Sequence, residues 1–437
     1  MGRRLTAGAC VLAVLAVLAA LGASGCTGSG AAPAGAPAWP APAPTRGPAS
    51  AAALAGATPC TSATASAPAL GPRRVSMVGV GGSPFGIAVT PDGRWVFVAS
   101  PAGGVKVLRT GTRLTPVRTI GAGLPLGETL AGGGRYLLAA SGTGAVVISV
   151  ARAERGGTGA VLGTLASPSG AGAIEVAASR DGRFAFVSLE GNARVAVFDL
   201  QRALTRGFGP ADYLGAIPVG LAPVGLAVSP DGRWLYATSE LSATARFPRR
   251  SRSTARPAAS ARRARIAAVP GPDVPGTLTV INVQRAETDP ARSVVATVDA
   301  GCQPVRVITS ADGRVVWVTA RASDALLGFS AALLRSHPAR SLVARVRVGE
   351  APVGLALVDH GGRIVVADSN RFLAPGATSS LAVVNVGAAL AGRPALAGLL
   401  PAGRFPREMA PEPGGRTLLV TNFASGQVEL VKVAGLP

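Results

Sequence analysis

The sequence predicts an all-β fold: a seven-bladed β-propeller closed by an N-terminal strand that completes the last blade, preceded by a signal peptide and a disordered Ala/Pro spacer. Three observations lead to this fold class. The 437 residues include 58 glycines and 35 prolines, which is typical of many short strands joined by tight turns. A Gly-Arg dipeptide recurs seven times before an apolar strand. The chain lacks the longer amphipathic stretches that a helical solenoid of similar period needs.

The N-terminus has the pattern of a secretory signal. Arg3 and Arg4 precede an uncharged apolar run over residues 7–21, and small residues then lead to Cys26. A positive start, an apolar centre and a small-residue exit are the three regions of such a signal. The apolar run is too short to span a membrane comfortably as a helix.

Residues 21–26 resemble a bacterial lipobox, in which small residues precede a cysteine that is acylated and becomes the mature N-terminus. Ala23 departs from the Leu or Val that is usual three positions before the cysteine. The resemblance implies that residues 1–25 are removed and that lipid on Cys26 holds the protein at the extracytoplasmic face of a bacterial membrane. An ordinary cleaved signal and an uncleaved anchor are the alternatives.

Residues 26–72 form the predicted spacer. They are mostly Ala, Pro, Gly, Ser and Thr, with almost no large apolar side chain. Such a segment cannot bury enough surface to fold, so it is expected to be a partly extended spacer that lifts a domain off the membrane. A tail without a role is the alternative.

Residues 73–437 contain seven copies of one unit. Each copy has a short apolar strand, opened by proline in six of the seven, and then the Gly-Arg marker and two further strands. A single sheet of this size cannot bury both of its faces, so the units are expected to stack around an axis. The markers are Gly93-Arg94, Gly134-Arg135, Gly182-Arg183, Gly232-Arg233, Gly313-Arg314, Gly362-Arg363 and Gly415-Arg416.

The two ends of the repeat region predict how the ring closes. The last unit ends with the strand at residues 428–433 and has no fourth strand, whereas the strand at 75–80 precedes the first unit without a blade of its own. Pairing these two strands removes an exposed sheet edge.

The units resemble the YVTN-type β-propeller repeat of bacterial and archaeal surface proteins and of the lactonase-like propeller group. Residues 223–238 carry the resemblance in one unit, and residues 419–428 resemble the segment that names the repeat. The resemblance runs from Arg73 to the end of the chain. It implies a propeller fold, but propellers of this kind carry unrelated activities.

One equivalent position on the innermost strands, which we call the axial position, holds the candidate binding site. Glu175, Arg306 and Glu408 are expected to project charge near the mouth of the central channel, with Glu128 one residue further along than its own axial position. The alternative is that Arg306 pairs with one glutamate and only neutralises the channel. The axial residues are Gly86, Gly127, Glu175, Gly225, Arg306, Gly354 and Glu408.

No set of residues predicts catalysis, a cofactor or a metal. Glu175 and Glu408 belong to units three and seven, on nearly opposite sides of the ring, so a direct carboxylate pair is not expected. His337 and His360 have no ligand or base at a useful spacing and are expected to be surface residues.

Two cysteines remain after the signal and the acyl site are set aside. Cys60 lies in the spacer and Cys302 at the start of unit five. In an oxidising compartment an even pair favours a disulfide, which would attach the spacer to one propeller face. Two free or buried thiols are the alternative.

An arginine-rich insertion at residues 241–276 interrupts unit four between its second and third strands. Its composition predicts a disordered, exposed loop, able to hold anionic lipid, a wall polymer or nucleic acid. The scarcity of aromatics disfavours nucleic acid, and drift in a GC-rich coding sequence explains the arginines equally well. They are Arg246, Arg249, Arg250, Arg252, Arg256, Arg262, Arg263 and Arg265.

The leading functional hypothesis is a lipid-anchored binding or protein-interaction module at the cell surface, whose ligand is an unknown protein, polysaccharide or small molecule. The second is a lactonase-like hydrolase that uses the channel charges. The third is a basic propeller that binds nucleic acid or anionic wall polymer, since the chain carries a net charge of +21.

Overall fold

The computed structural model describes residues 58–60, 65–71, 75–169, 171–243, 274–371 and 379–437. They form seven antiparallel sheets of four strands each, which confirms the predicted seven-bladed propeller. The first blade consists of β2 (Ile87–Val89), β3 (Trp95–Ser100), β4 (Gly104–Arg109) and β5 (Thr115–Ile120). The second consists of β6 (Glu128–Ala131), β7 (Tyr136–Ser141), β8 (Gly144–Ser149) and β9 (Val161–Ala166). The third consists of β10 (Ala173–Ala178), β11 (Phe184–Leu189), β12 (Arg194–Asp199) and β13 (Tyr213–Pro218).

The fourth blade consists of β14 (Leu221–Val228), β15 (Trp234–Leu241), β16 (Pro275–Asn282) and β17 (Val294–Cys302). The fifth consists of β18 (Pro304–Thr309), β19 (Val315–Ala320), β20 (Ala325–Ser330) and β21 (Leu342–Arg347). The sixth consists of β22 (Pro352–Val358), β23 (Arg363–Asp368), β24 (Ser380–Asn385) and β25 (Leu396–Pro401). The seventh consists of β26 (Pro406–Pro411), β27 (Thr417–Asn422), β28 (Gln427–Lys432) and β1 (Val75–Gly79).

The ring closes as the sequence predicts. β1 is the outermost strand of blade seven and pairs antiparallel with β28, with Val75 opposite Val431 and Gly79 opposite Gln427. Blade seven therefore contains both ends of the repeat region, so the ring cannot open without breaking this ladder.

The alternating strand directions define two ends of the propeller. We call the end at which the innermost strands begin the upper end. Because neighbouring strands are antiparallel, the loops between second and third strands and the connections from one blade to the next all lie at the upper end. The hairpin turns that follow the innermost strands lie at the lower end.

The hydrophobic core is divided by the blades. Seven clusters of buried Val, Leu, Ile, Ala and Phe side chains lie between neighbouring blades, and an eighth lies on the axis. Trp317, the largest fully buried side chain, packs between blades five and six. The core is therefore almost entirely an interface between blades, as expected for a repeat whose units cannot fold alone.

The turn after the innermost strand is built identically in four blades. In blade four, Asp231 Oδ1 accepts a hydrogen bond from the Ser229 hydroxyl at 2.5 Å and from the Arg233 backbone N–H at 3.1 Å. Gly232 follows with a φ of +73°, a conformation that glycine adopts without strain. The equivalent aspartates in blades one, three and five are Asp92, Asp181 and Asp312.

Five short helices, which the sequence analysis did not predict, connect the third and fourth strands of blades two to six. Each is capped by a Ser, Asp or Asn side chain that accepts a backbone hydrogen bond. Helices of five to seven residues are too short to show a helical period in the sequence. They are α1 (Val150–Arg155), α2 (Leu200–Arg206), α3 (Val283–Thr288), α4 (Ala331–Ser336) and α5 (Val386–Leu390).

The end of the predicted spacer lies against the propeller. Among its described residues, Ala65 N–H donates to Val348 O at 2.9 Å, and Leu70 N–H donates to Leu399 O at 2.7 Å. Leu70 also packs over Gly398, where a Cβ atom would come within 2.6 Å of its side chain. The few apolar residues of this segment are therefore enough to hold it in place, because blades five and six supply the surface that they cover.

Candidate binding site in the central channel

The axial position is shaped by a β-bulge. In β10, β18 and β26 the register with the second strand shifts at this position, within the stretches that hold Glu175, Arg306 and Glu408. A bulge leaves one residue out of the ladder and redirects its side chain. The freed backbone N–H groups of these three residues donate hydrogen bonds to the hydroxyl oxygens of Ser188, Thr319 and Thr421, at 3.0, 3.1 and 3.0 Å respectively.

These hydroxyl residues were missed by the sequence analysis, and the two threonines also join neighbouring blades. The Thr319 hydroxyl donates to Val353 O of blade six at 2.7 Å, and the Thr421 hydroxyl donates to Phe85 O of blade one at 2.8 Å. Thr238 makes the same bond to Val305 O at 2.7 Å. The signal in the sequence that could have identified them is a Ser or Thr residue that recurs near the end of the second strand of the blades.

The axial glycines are required by close packing. A Cβ atom on Gly225 would lie 2.3 Å from Val305 O, and one on Gly86 would lie 2.5 Å from Leu126 O. A Cβ atom on Gly127 would meet the Glu175 carboxylate. The glycines therefore bring the innermost strands together, and at Gly127 the missing side chain makes room for a charged group.

Arg306 reaches across the channel and joins the two predicted carboxylates. Its Nη2 pairs with Glu175 Oε2 at 3.2 Å, and both Nη2 and Nε contact Glu408 Oε1. Its Nη1 donates to Val224 O of blade four. The expectation that Arg306 pairs with a single glutamate is therefore wrong. A long arginine side chain connects two carboxylates that lie in blades three and seven.

The predicted place of these charges at the channel mouth is also corrected. Arg306 is only 5% exposed. Six apolar residues, one from each of blades one to six, lie in the layer above it and close the upper end of the axis; we call this the plug layer. The charges thus lie inside the channel, where water screens them weakly. The plug residues are Phe85, Leu126, Ile174, Val224, Val305 and Val353.

Burial dominates the protonation of this site. It raises the pKa of Glu175 to about 8, although Arg306 acts in the opposite direction, while the neighbouring Glu408 raises it further. The pKa of Arg306 is raised, because its two carboxylate partners outweigh the effect of its burial. Arg306 is therefore charged throughout the physiological range, and Glu175 holds its proton more firmly than an exposed glutamate does.

Glu128 differs from the other two glutamates because no described residue supplies it with a counter-charge. Burial raises the pKa of this carboxyl well above its usual range, an effect that the backbone amides of Ala99 and Ala88 reduce and the nearby Glu175 increases. Among the described residues, neither Oε atom makes a hydrogen bond with normal geometry. Glu128 is thus a buried carboxyl group that favours its protonated form and has unused hydrogen-bonding capacity.

A cavity of about 390 Å³ lies below the charged layer. Its walls are mainly aliphatic, including Leu226, Val307 and Leu355, and its polar groups are Glu128, Thr129 and the three charged axial residues. A cavity that combines aliphatic walls with convergent polar groups is the usual form of a small-molecule site. The arrangement can hold a small amphipathic molecule and offer it one carboxyl group.

The remaining predicted residues lie elsewhere. Cys60 and Cys302 are joined by a disulfide at the upper end, with 5.3 Å between their Cα atoms. Cys26 and the eight arginines of the insertion lie outside the described residues. In the part of the chain that the structure describes, no group of three or more His, Cys, Asp or Glu could hold a metal ion. No helix within these residues is long and apolar enough to cross a membrane.

No family model and no curated protein matches the chain. Solved structures do. One is hydrazine synthase of Kuenenia stuttgartiensis, with a TM-score of 0.58 and 15% identity, covering 80% of this chain and 96% of that one. Another is a chain of the mitotic checkpoint complex, with a TM-score of 0.59 and 12% identity, covering 83% and 94%. At these identities the similarity shows a shared propeller fold alone. The YVTN repeat type stays a prediction.

Proposed function

We propose that the protein is a lipid-anchored binding module of the bacterial cell surface, and that its channel takes up a small, largely apolar molecule carrying a hydrogen-bond donor. The observation that carries the ligand class is the buried Glu128 carboxyl, which belongs to the cavity lining and has no hydrogen-bond partner among the described residues. A buried carboxyl without a partner costs about 1 to 3 kcal/mol, and a ligand hydroxyl or amine that bonds to it removes this cost.

Ligand uptake is tested with the full chain and a panel of small alcohols, amines and lactones. We expect one or more of these to raise the midpoint of thermal unfolding, because ligands that bind only the native state stabilise it. Glu128→Leu is expected to abolish the shift and to raise the midpoint without ligand, since an aliphatic side chain suits the cavity. Glu412→Leu, outside the cavity, is the control. An unchanged shift in Glu128→Leu would contradict the proposal.

A hydrolase is the second candidate, because the carboxyl groups of Glu128 and Glu175 hold protons that a general acid could donate. Release of hydroxy acid from a lactone in the same samples, lost in Glu128→Gln and retained in Glu412→Gln, would favour this activity over simple binding. The third hypothesis, an anionic polymer bound by the arginine-rich insertion, concerns residues outside the described part of the chain and stays a prediction.

The lipid anchor has its own test. The disulfide supports an oxidising, extracytoplasmic compartment. Cys26→Ala is expected to move most of the protein from the membrane fraction to the soluble fraction and to abolish incorporation of labelled palmitate. Cys10→Ala, inside the predicted signal, is the matched control and should leave both unchanged. Membrane retention of Cys26→Ala would contradict acylation at this residue.

A further inference from the structure

The plug layer is interrupted by a charge. Blades one to six each contribute an apolar residue immediately before the axial position, and blade seven contributes Arg407 instead. Arg407 is 9% exposed. A cation at the one position where six relatives are aliphatic or aromatic is a local conflict with the repeat, and such conflicts in native proteins are expected at functional sites.

Arg407 is surrounded by aromatic rings. Its guanidinium carbon lies 3.6 Å from the ring centre of Phe85, 5.4 Å from that of Phe405 and 5.7 Å from that of Phe423. All three rings lie at the upper end of the axis, next to the first residues of the innermost strands. Ring faces attract a cation but accept no conventional hydrogen bond from it.

Arg407 lacks the polar partners that a buried arginine normally has. Among the described residues its Nε, which is shielded from solvent, has no hydrogen-bond acceptor. No carboxylate in this part of the chain forms an ion pair with it, and the adjacent Glu408 is committed to Arg306. By contrast, every nitrogen of Arg306, one layer below, contacts an oxygen.

The surroundings of Arg407 are positive. Arg371 also lies over the Phe405 ring, with its guanidinium carbon 5.6 Å from the ring centre. Burial lowers the pKa of Arg407 to about 9, and repulsion from Arg306, Arg371 and Arg321 adds to this effect. An anion bound between these groups would relieve both the desolvation and the repulsion.

Two carboxyl groups lie near these arginines, Glu240 and Glu190. Glu240 pairs with Arg321 at 2.9 Å. Burial raises the pKa of Glu190, and the neighbouring Glu240 raises it further, so Glu190 is a weaker source of negative charge than an exposed glutamate. Of the two carboxyl groups that act on Arg371, one is thus paired with Arg321 and the other tends to keep its proton.

We propose that the upper end of the channel is a second ligand site, in which the guanidinium of Arg407 binds the carboxylate of a small organic anion whose apolar body packs against Phe405 and Phe423. The planar fork of arginine matches a carboxylate in a bidentate arrangement. The aromatic walls favour a carboxylate with an apolar body over a hydrated inorganic anion. The plug layer and Arg306 separate this site from the cavity at Glu128.

Benzoate is the probe, with inorganic phosphate as the second anion and equal ionic strength throughout. For the full chain we expect benzoate to raise the thermal midpoint and to bind measurably by calorimetry, and phosphate to do neither. Arg407→Leu restores the apolar plug residue of the other blades. It is expected to weaken benzoate binding at least tenfold and to raise the midpoint without ligand. Arg404→Ala, an exposed arginine three residues away, is the matched control and should change neither.

Two further variants keep the outcome decisive. Arg407→Lys retains a charge without the planar fork and is expected to bind benzoate more weakly than the wild type if Arg407→Leu does not fold. Glu128→Leu is expected to retain benzoate binding, which separates this site from the proposed cavity. Benzoate binding that is unchanged in Arg407→Leu and Arg407→Lys would overturn the proposal, and so would stabilisation by phosphate without any by benzoate.

Discussion

Arg306→Met is expected to lower the free energy of unfolding by about 3 to 5 kcal/mol. Methionine fills much of the same volume, but the substitution leaves Glu175 and Glu408 in a buried layer without their shared counter-charge and leaves Val224 O without its donor. The urea midpoint of the full chain measures the loss. Arg314→Met is the matched control, because its ion pair with Asp312 is exposed at 3.7 Å and should contribute under about 1 kcal/mol.

The loss in Arg306→Met should depend on pH. Glu175 has a pKa of about 8 in the folded protein, above its ordinary value of 4.5. Its contribution to stability is therefore fully present below pH 4.5 and is lost as the pH rises through 8. Without Arg306 the Glu175 carboxyl can stay protonated at pH 5, so the destabilisation is expected to be smallest there and to grow towards pH 9. Glu175→Gln added to Arg306→Met should recover part of it. An equal loss at all pH values would contradict this explanation.

Most of the fold could be predicted from the sequence because each blade repeats its own signals. The Gly-Arg markers, the prolines that open innermost strands and the Asp-Gly turns are local features of the sequence. They can therefore be recognised without knowledge of any tertiary contact. The pairing of β1 with β28 followed from counting strands in the first and last units. The helices α1 to α5 were missed because they span fewer than two turns.

The site was predicted only as a set of residues. Alignment of the repeats identified Glu175, Arg306 and Glu408 as departures from glycine, and the ring geometry argued against a direct carboxylate pair between units three and seven. The Arg306 side chain is long enough to contact both carboxylates across the channel, which the alignment did not show. One position before the axial position, the same alignment places the charge of Arg407 among six apolar residues. The sequence does not show that Arg407 is buried, and it is this burial that makes its charge unusual.

Loss of the Cys60–Cys302 disulfide is expected to lower the free energy of unfolding by about 4 to 5 kcal/mol. The two cysteines are 242 residues apart in sequence, and closing so long a loop removes much conformational freedom from the unfolded chain. Cys60→Ser is the preferred variant, because Cys302 is fully buried and a serine there would add a polar cost of its own. Urea unfolding of the full chain, with and without thiol reductant, measures the change.

The reductant also provides the control. It should lower the unfolding midpoint of the wild type to that of Cys60→Ser and leave the variant itself unchanged. Loss of the disulfide should free the segment around Thr58 more than the segment around Leu70. Thr58 then keeps its hydrogen bond from Arg345 Nε at 3.2 Å, whereas the segment around Leu70 keeps two backbone hydrogen bonds to Leu399. Limited proteolysis should therefore cleave near Thr58 first. Equal midpoints for oxidised and reduced wild type would show that the bond does not constrain the unfolded chain.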